Sequence, residues 1–222
     1  MTTLIFIRHA FSEGNQLEVC SGQLDYPLIE KGFEQAKKTA AYLRANYPLE
    51  AIYTSDLCRT VQTAQPTADA FGLESIPDAR FREAYVGEWQ GQLWKDLEAQ
   101  YPDIYKLWIS FKMDRNTPRP KGAECSEEIL ERVNAAISDV IAKNKGKCVA
   151  IFAHGRMIHV LSDFWRMQNP AFDAEVKKRG AFSYNSCSVT VAEYDDNGIF
   201  LGIPLFNCRD FLNENSNAVA AE

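Results

Sequence analysis

The chain has 222 residues, enough for one large domain or two small ones with a substantial core. Its 46% hydrophobic, 12% aromatic and 24% charged residues are ordinary for a globular protein. A net charge of −6 argues against a general nucleic-acid or membrane-surface binder, while leaving room for a local pocket that takes a small anion.

No stretch approaches the roughly 20 apolar residues needed to span a bilayer. The short apolar run near the N-terminus is followed, not preceded, by its charges, so no secretory segment is expected there. Cys20, Cys58, Cys125, Cys148, Cys187 and Cys208 show no C-x-x-C pair and no zinc spacing. Reduced thiols in a cytoplasmic protein are the expectation.

Leu4-Ile5-Phe6-Ile7 is a four-residue apolar run that ends in Arg8 and His9, which predicts a strand buried on both faces. Residues 10–15 and 20–27 are small, polar or broken by Gly22 and Pro27, and read as loop. From Lys31, the residues Phe33, Ala36, Ala40, Leu43 and Tyr47 recur at helical spacing until Pro48. Ala51-Ile52-Tyr53 predicts a short strand, and Thr54, Ser55 and Asp56 are candidate N-caps. Leu57, Val61, Ala64, Ala68 and Phe71 mark the buried face of the following helix, with Arg59 in its first turn and off that face.

Ser75-Ile76-Pro77 is at most a minor edge strand, and 81–91 reads as a loop. Residues 92–115 hold Trp94, Tyr101, Tyr105, Trp108 and Phe111 and predict two short helices broken near Pro102. These aromatics are expected to pack mostly as a small cap, with some forming a wall that selects the leaving group. Ile129, Val133, Ile137, Val140 and Ile141 define a long amphipathic helix. Val149-Ala150-Ile151-Phe152 repeats the form of the first run and leads into Ala153-His154-Gly155 and a helix to about Met167. Ser188–Tyr194 and Ile199–Phe206 predict a hairpin across Asp195-Asp196-Asn197-Gly198, and 213–222 a frayed tail. The alternation predicts one α/β domain over 1–212: a three-layer α/β/α sandwich with a mostly parallel central sheet and a small helical cap insertion at about 92–122.

Two of only three histidines thus stand at the C-terminal ends of buried strands, where open α/β sheets bind ligands. Hydrolysis of a phosphate monoester needs cations to receive the dianion. Arginine supplies planar, permanently charged donors for it, and Arg8 and Arg59 both sit at strand-to-helix junctions. A neutral histidine can accept the phosphoryl group, and one carboxylic acid can protonate the leaving oxygen and then activate water. This inventory needs neither metal nor cofactor.

Arg8-His9-Ala10-Phe11-Ser12-Glu13-Gly14-Asn15 resembles the opening signature of the histidine phosphatase, or phosphoglycerate mutase-like, superfamily. The resemblance continues through Gly22, Asp25, Pro27-Leu28, Gly32 and Gln35-Ala36. Further blocks are Tyr53-Thr54-Ser55-Asp56-Leu57 with Arg59 and Thr63-Ala64, Phe81-Arg82-Glu83-Ala84 with Gly87, Trp89 and Gly91, and Phe152-Ala153-His154-Gly155. The blocks occur in family order over about residues 3–207. The resemblance implies a metal-independent phosphomonoesterase acting on a small phosphorylated metabolite. In it His9 is the nucleophile, Arg8, Arg59 and His154 hold the phosphoryl oxygens, and Glu83 is the acid/base. Asn15, Ser21, Gly22 and Gly155 join Arg8 and Arg59 in binding substrate. Ala10 departs from a usual glycine, Phe11 from a common acidic residue and His159 from a frequent arginine; His159 reads as structural.

Three rival readings are a mutase, metal-assisted hydrolysis with His9, His154 and Glu83 as ligands, and an inactive phosphate-binding regulatory module. Mutases of this superfamily resemble one another in an Arg-His-Tyr after the glutamate, where this chain has Ala84-Tyr85-Val86, which favours hydrolysis. Lys95, Lys106, Lys112, Arg115, Arg119 and Lys121 either meet a second anionic group or form a solvated surface. The expected partner is a phosphate ester, not nucleic acid or membrane; the physiological substrate and homo-oligomerisation are left open.

Overall fold

The computed structural model describes residues 1–111, 113–179 and 183–213. Lys112 and residues 214–222 of the expected tail lie outside them. The first apolar run forms β1 (Thr2–Arg8), with Leu4, Ile5, Phe6 and Ile7 fully buried. It pairs in parallel with β4 (Cys148–Ala153) and antiparallel with β5 (Val189–Tyr194). β2 (Leu49–Thr54) and β3 (Ser75–Pro77) extend the parallel part, and β6 (Phe200–Cys208) closes the other edge, giving the order β3-β2-β4-β1-β5-β6.

Strand geometry sends alternate side chains to opposite faces, and both faces are covered. Leu4, Phe6, Val149 and Ile151 meet α6 (Ser126–Lys143) and α7 (Gly155–Gln168) through Val133, Ile137, Ile158 and Leu161. Ile5, Ile7, Ala150 and Phe152 meet Leu43 of α2 (Glu30–Asn46) and Ala64 and Ala68 of α3 (Cys58–Phe71). The result is the expected three-layer α/β/α fold with a mostly parallel sheet. No helix of the described residues is long and apolar enough to cross a membrane. All six cysteines are free, four of them buried.

Local departures from expectation have physical causes. A four-residue helix, α1 (Glu13–Gln16), interrupts the first loop, closed by a capping box between Ser12 and Asn15. In α2 the apolar period includes Phe33, yet that side chain is 40% exposed, because the sheet covers only the stripe through Ala36, Ala40 and Leu43. α3 is not capped by Thr54, Ser55 or Asp56: its N-cap is Leu57, and the Cys58 N–H donates instead to Asp25 Oδ1 at 2.7 Å. Two helices of the cap segment, α4 (Trp94–Gln100) and α5 (Pro102–Ile109), meet at Tyr101-Pro102 as expected. A helix without strong periodicity, α8 (Pro170–Arg179), follows α7 and is seated by Phe172 and Val176.

Phe6 lies edge-on to Trp165, ring centroids 5.3 Å apart, and the Trp165 indole donates to the Tyr194 hydroxyl at 2.8 Å. Phe6→Ala should therefore cost about 3–5 kcal/mol, the usual range for an aromatic deleted from a packed core. Urea unfolding should show a lower midpoint at an unchanged slope; a loss below about 1 kcal/mol would contradict this packing.

Candidate active site

Parallel pairing in the register Arg8↔Ala153 makes β1 and β4 end side by side. The His9 N–H donates to the Ala153 carbonyl at 2.9 Å, so the histidine after each strand faces the other, with ring centroids 5.3 Å apart. His9 Nδ1 lies 2.8 Å from the Ala10 carbonyl. A carbonyl only accepts, so Nδ1 carries the proton and Nε2 keeps its lone pair. Burial, then the Arg59 and Arg8 charges, hold the His9 pKa well below the ordinary value, which keeps the ring neutral.

His154 Nε2 lies 2.9 Å from Ser55 Oγ, which already accepts the Leu57 N–H. The Ser55 hydroxyl fixes the orientation of the ring through Nε2, and Nδ1 is buried with no protein partner. Burial again, with Arg59, His9 and Arg8 adding to it, pushes this pKa well down.

Arg8 donates Nη1 to the Tyr184 carbonyl and leaves Nε unpartnered. Arg59 is 1% exposed, although its place on α3 is off the apolar stripe, because it reaches under the first loop. It donates to the carbonyls of Gly22 and Leu24, both at 2.8 Å, and its Nε is likewise unpartnered. Gly22 has φ +50°, and a Cβ there would come within 2.6 Å of Val86, so this turn requires glycine. Burial lowers both arginine pKa values and Glu83 opposes the shift; both groups stay charged.

Glu83 reaches the same place from the segment before the cap. Its carboxylate accepts N–H bonds from Ala84 at 2.9 Å, Met157 at 3.1 Å and Arg156 at 3.2 Å. The last two lie in the first turn of α7, so Glu83 caps that helix from outside and is held by it. Arg132 of α6 fixes the backbone beneath, donating to the carbonyls of Arg80, Arg82 and Glu83 and pairing with Glu124 at 2.8 Å.

A cavity of about 660 Å³ opens over these groups, a volume suited to a small ligand. Arg8, His9, Asn15, Ser21, Gly22, Arg59, Glu83 and Gly155 all line it. His154 does not, although its ring centroid lies 5.3 Å from that of His9. Of the basic residues expected near a second anionic group, Lys95 lines the cavity; Lys106, Arg115, Arg119 and Lys121 do not, and Lys112 is outside the described residues. Trp94, Tyr105, Trp108 and Phe111 supply the aromatic wall.

Ala10 needs no glycine: the non-glycine residues of positive φ among the described residues are Glu18, Phe111, Cys187 and Asn207. Its methyl packs with Leu28, Ala36 and Cys187, and its N–H donates to Thr63 Oγ1 at 2.9 Å. Phe11 lies off the cavity, its ring 4.7 Å from the Lys31 ammonium. His159 stacks on Phe111, and burial lowers its pKa to about 3, in keeping with a packing role. Sequence reasoning missed Arg132, Arg156 and Tyr184. Arg156, two residues beyond His154, carried a positional signal; the other two lie far from any motif.

The family profile described as "Histidine phosphatase superfamily (branch 1)" matches residues 4–202. Phosphoserine phosphatase 1 of Hydrogenobacter thermophilus is 32% identical over 154 residues, 69% of this chain and 71% of that protein. Phosphoglycerate mutase-like protein 4 of Arabidopsis thaliana is 30% identical over 159 residues, 71% of this chain and 68% of that one. The native structure of a mycobacterial glucosyl-3-phosphoglycerate phosphatase superposes with a TM-score of 0.76 at 25% identity, covering 93% of this chain and 99% of that chain.

All three histidines of the chain are buried with lowered pKa values. In the unfolded chain they titrate near 6.5, so below that pH the unfolded state binds more protons and is favoured. No penalty exists above that value, and it grows as pH falls toward the lowered folded values. Unfolding free energy measured by urea between pH 7 and 5.5 should fall, and His159→Gln should flatten the slope by about one proton, or about 1.4 kcal/mol per pH unit at full titration. A slope unaffected by His159→Gln would contradict a neutral buried ring.

Proposed function

Because the chain belongs to branch 1 of the histidine phosphatase superfamily and is a phosphoric monoester hydrolase, we propose that it hydrolyses a small phosphorylated metabolite without a metal ion, through a phosphohistidine on His9. One observation carries this reading: His9 has its tautomer locked by the Ala10 carbonyl, which leaves the Nε2 lone pair available, and it shares one cavity with the buried charges of Arg8 and Arg59. Arg8 and Arg59 supply the positive charge that a phosphate dianion needs, which leaves no step for a metal to perform.

The ester binds with its phosphoryl oxygens on Arg8 and Arg59, with His154 beside the His9 ring. His9 Nε2 forms a bond to phosphorus as the bond to the ester oxygen breaks, and protonated Glu83 gives its proton to that oxygen. Water then attacks phosphorus, its proton passing to Glu83, and the N–P bond breaks to return His9 and release phosphate. Charge stabilisation on the equatorial oxygens by fixed donors carries most of the rate.

Inorganic phosphate should be released from simple phosphate esters at an undiminished rate in excess chelator, and His9→Ala should abolish that release. Chelator-sensitive turnover would overturn the metal-independent reading, and phosphoryl transfer without release would point to a mutase. Glu83→Gln should slow esters of alkyl alcohols by about 10²–10⁴-fold and p-nitrophenyl phosphate far less, because only the former need the proton. An equal loss on both would leave Glu83 as a helix cap alone.

A further inference from the structure

The mechanism gives no task to Gln35, which stands in the second turn of α2 and does not line the cavity. Its Oε1 accepts the Phe11 N–H at 2.9 Å. That N–H belongs to the Ala10–Phe11 peptide, and the carbonyl of the same peptide meets His9 Nδ1 at 2.8 Å. A peptide is planar and trans, so its N–H and C=O point in opposite directions, and what fixes one fixes the other. Gln35 holds one end of the peptide whose other end holds the His9 proton.

The face of α2 that meets this peptide is shaped for it. Gly32, Gln35 and Ala36 stand three and four residues apart, on one side of the helix. A Cβ at Gly32 would come within 2.1 Å of the Phe11 carbonyl oxygen, so glycine lets the helix approach the chain after His9. The Ile29 N–H donates to the same Phe11 oxygen at 3.3 Å, and Ala36, fully buried, packs with Ala10. Thr63 Oγ1 takes the Ala10 N–H at 2.9 Å and gives its own hydrogen to the Arg59 carbonyl at 2.6 Å. Thr63 thus anchors the preceding peptide, and Gln35 alone of these two side chains acts on the carbonyl that His9 uses. Without the Gln35 acceptor that carbonyl is free to turn from the ring, and the ring proton redistributes toward Nε2. The lone pair that attacks phosphorus is then lost, while Arg8 and Arg59 keep their places.

We infer that Gln35 is a positioning residue for His9: through the Ala10–Phe11 peptide it keeps the ring proton on Nδ1 and the Nε2 lone pair free. Its effect on turnover rests on the phosphatase reading above; its effect on the tautomer does not.

The test joins NMR of protein isotopically labelled at the histidine ring nitrogens to steady-state kinetics on p-nitrophenyl phosphate. Near neutral pH, His9 should show a protonated Nδ1 and an unprotonated Nε2, its signals assigned by their loss in His9→Ala. Gln35→Met, unbranched and of similar length but without the amide oxygen, should move both nitrogens toward the other tautomer. It should also lower kcat by about 10- to 100-fold, the range for a hydrogen-bond donor left unpaired. KM and inhibition by inorganic phosphate should change little, because both arginines are untouched. Gln35→Glu, which keeps an oxygen acceptor at the same reach, should retain the wild-type tautomer and most of kcat. Unchanged His9 signals in Gln35→Met, or a loss of kcat that Gln35→Glu shares in full, overturns the inference and leaves Gln35 as a brace of the loop. A raised KM at unchanged kcat overturns it as well. Absence of phosphate release by the wild-type protein would overturn the phosphatase reading instead, and the histidine signals would still decide the role of Gln35.

Discussion

The parallel pairing of β1 with β4 is the constraint on which the site depends. Every residue from Thr3 to Arg8 is matched, ending at Arg8↔Ala153. Two strands distant in sequence must therefore stop at one level, and the residue after each emerges at the same edge. A slip of one residue would send Phe6 and Leu4 to the α2/α3 face and separate the histidines. The apolar alternation that buries both faces is thus also what sets the 5.3 Å approach of His9 and His154. Core packing and catalytic geometry are here one condition.

The second organising device is capping from a distance. α3 and α7 both begin at the site, and neither has a side-chain cap of its own. Asp25 supplies one and Glu83 the other, so each helix start is tied to a loop that also lines or supports the cavity. The helix gains a partner for its free N–H groups, and the carboxylate gains a fixed direction. For Glu83 this means that the carboxylate proposed to move protons is held by α7, the helix that follows His154. Arg132 completes the arrangement by pinning the backbone on either side of it.

Much of this was legible in the residues. β1 and β4 announce themselves as apolar runs with an abrupt polar end, because a strand buried on both faces has no polar period to blur it. His9, His154, Arg8 and Arg59 follow from position and from ordered blocks. What the chain does not display is contact at long range. Glu83 reads as a loop carboxylate, since its partners lie 73 and 74 residues away. Arg59 reads as a helix residue off the apolar stripe, since the carbonyls that bury it belong to a turn 35 and 37 residues earlier. Phe33 errs the other way: its spacing fits the helix, but the neighbour that would cover it is absent from that side of the sheet. α8 hid because two apolar residues, Phe172 and Val176, seat it.

The electrostatics of the cavity run against the chain as a whole. A protein of net charge −6 gathers Arg8, Arg59 and Arg156 in one buried place with the Glu83 carboxyl group among them. Burial lowers the pKa of each arginine, which is another way of saying that the folded state is destabilised by holding them charged. Four polar atoms there, on Arg8, Arg59, His154 and Arg156, lack a protein partner, each at a cost of about 1–3 kcal/mol. A fold selected for stability alone would replace them with apolar groups. Their presence is understandable if the missing partners belong to a ligand, and the charges that line the cavity then describe it: an anion before His9.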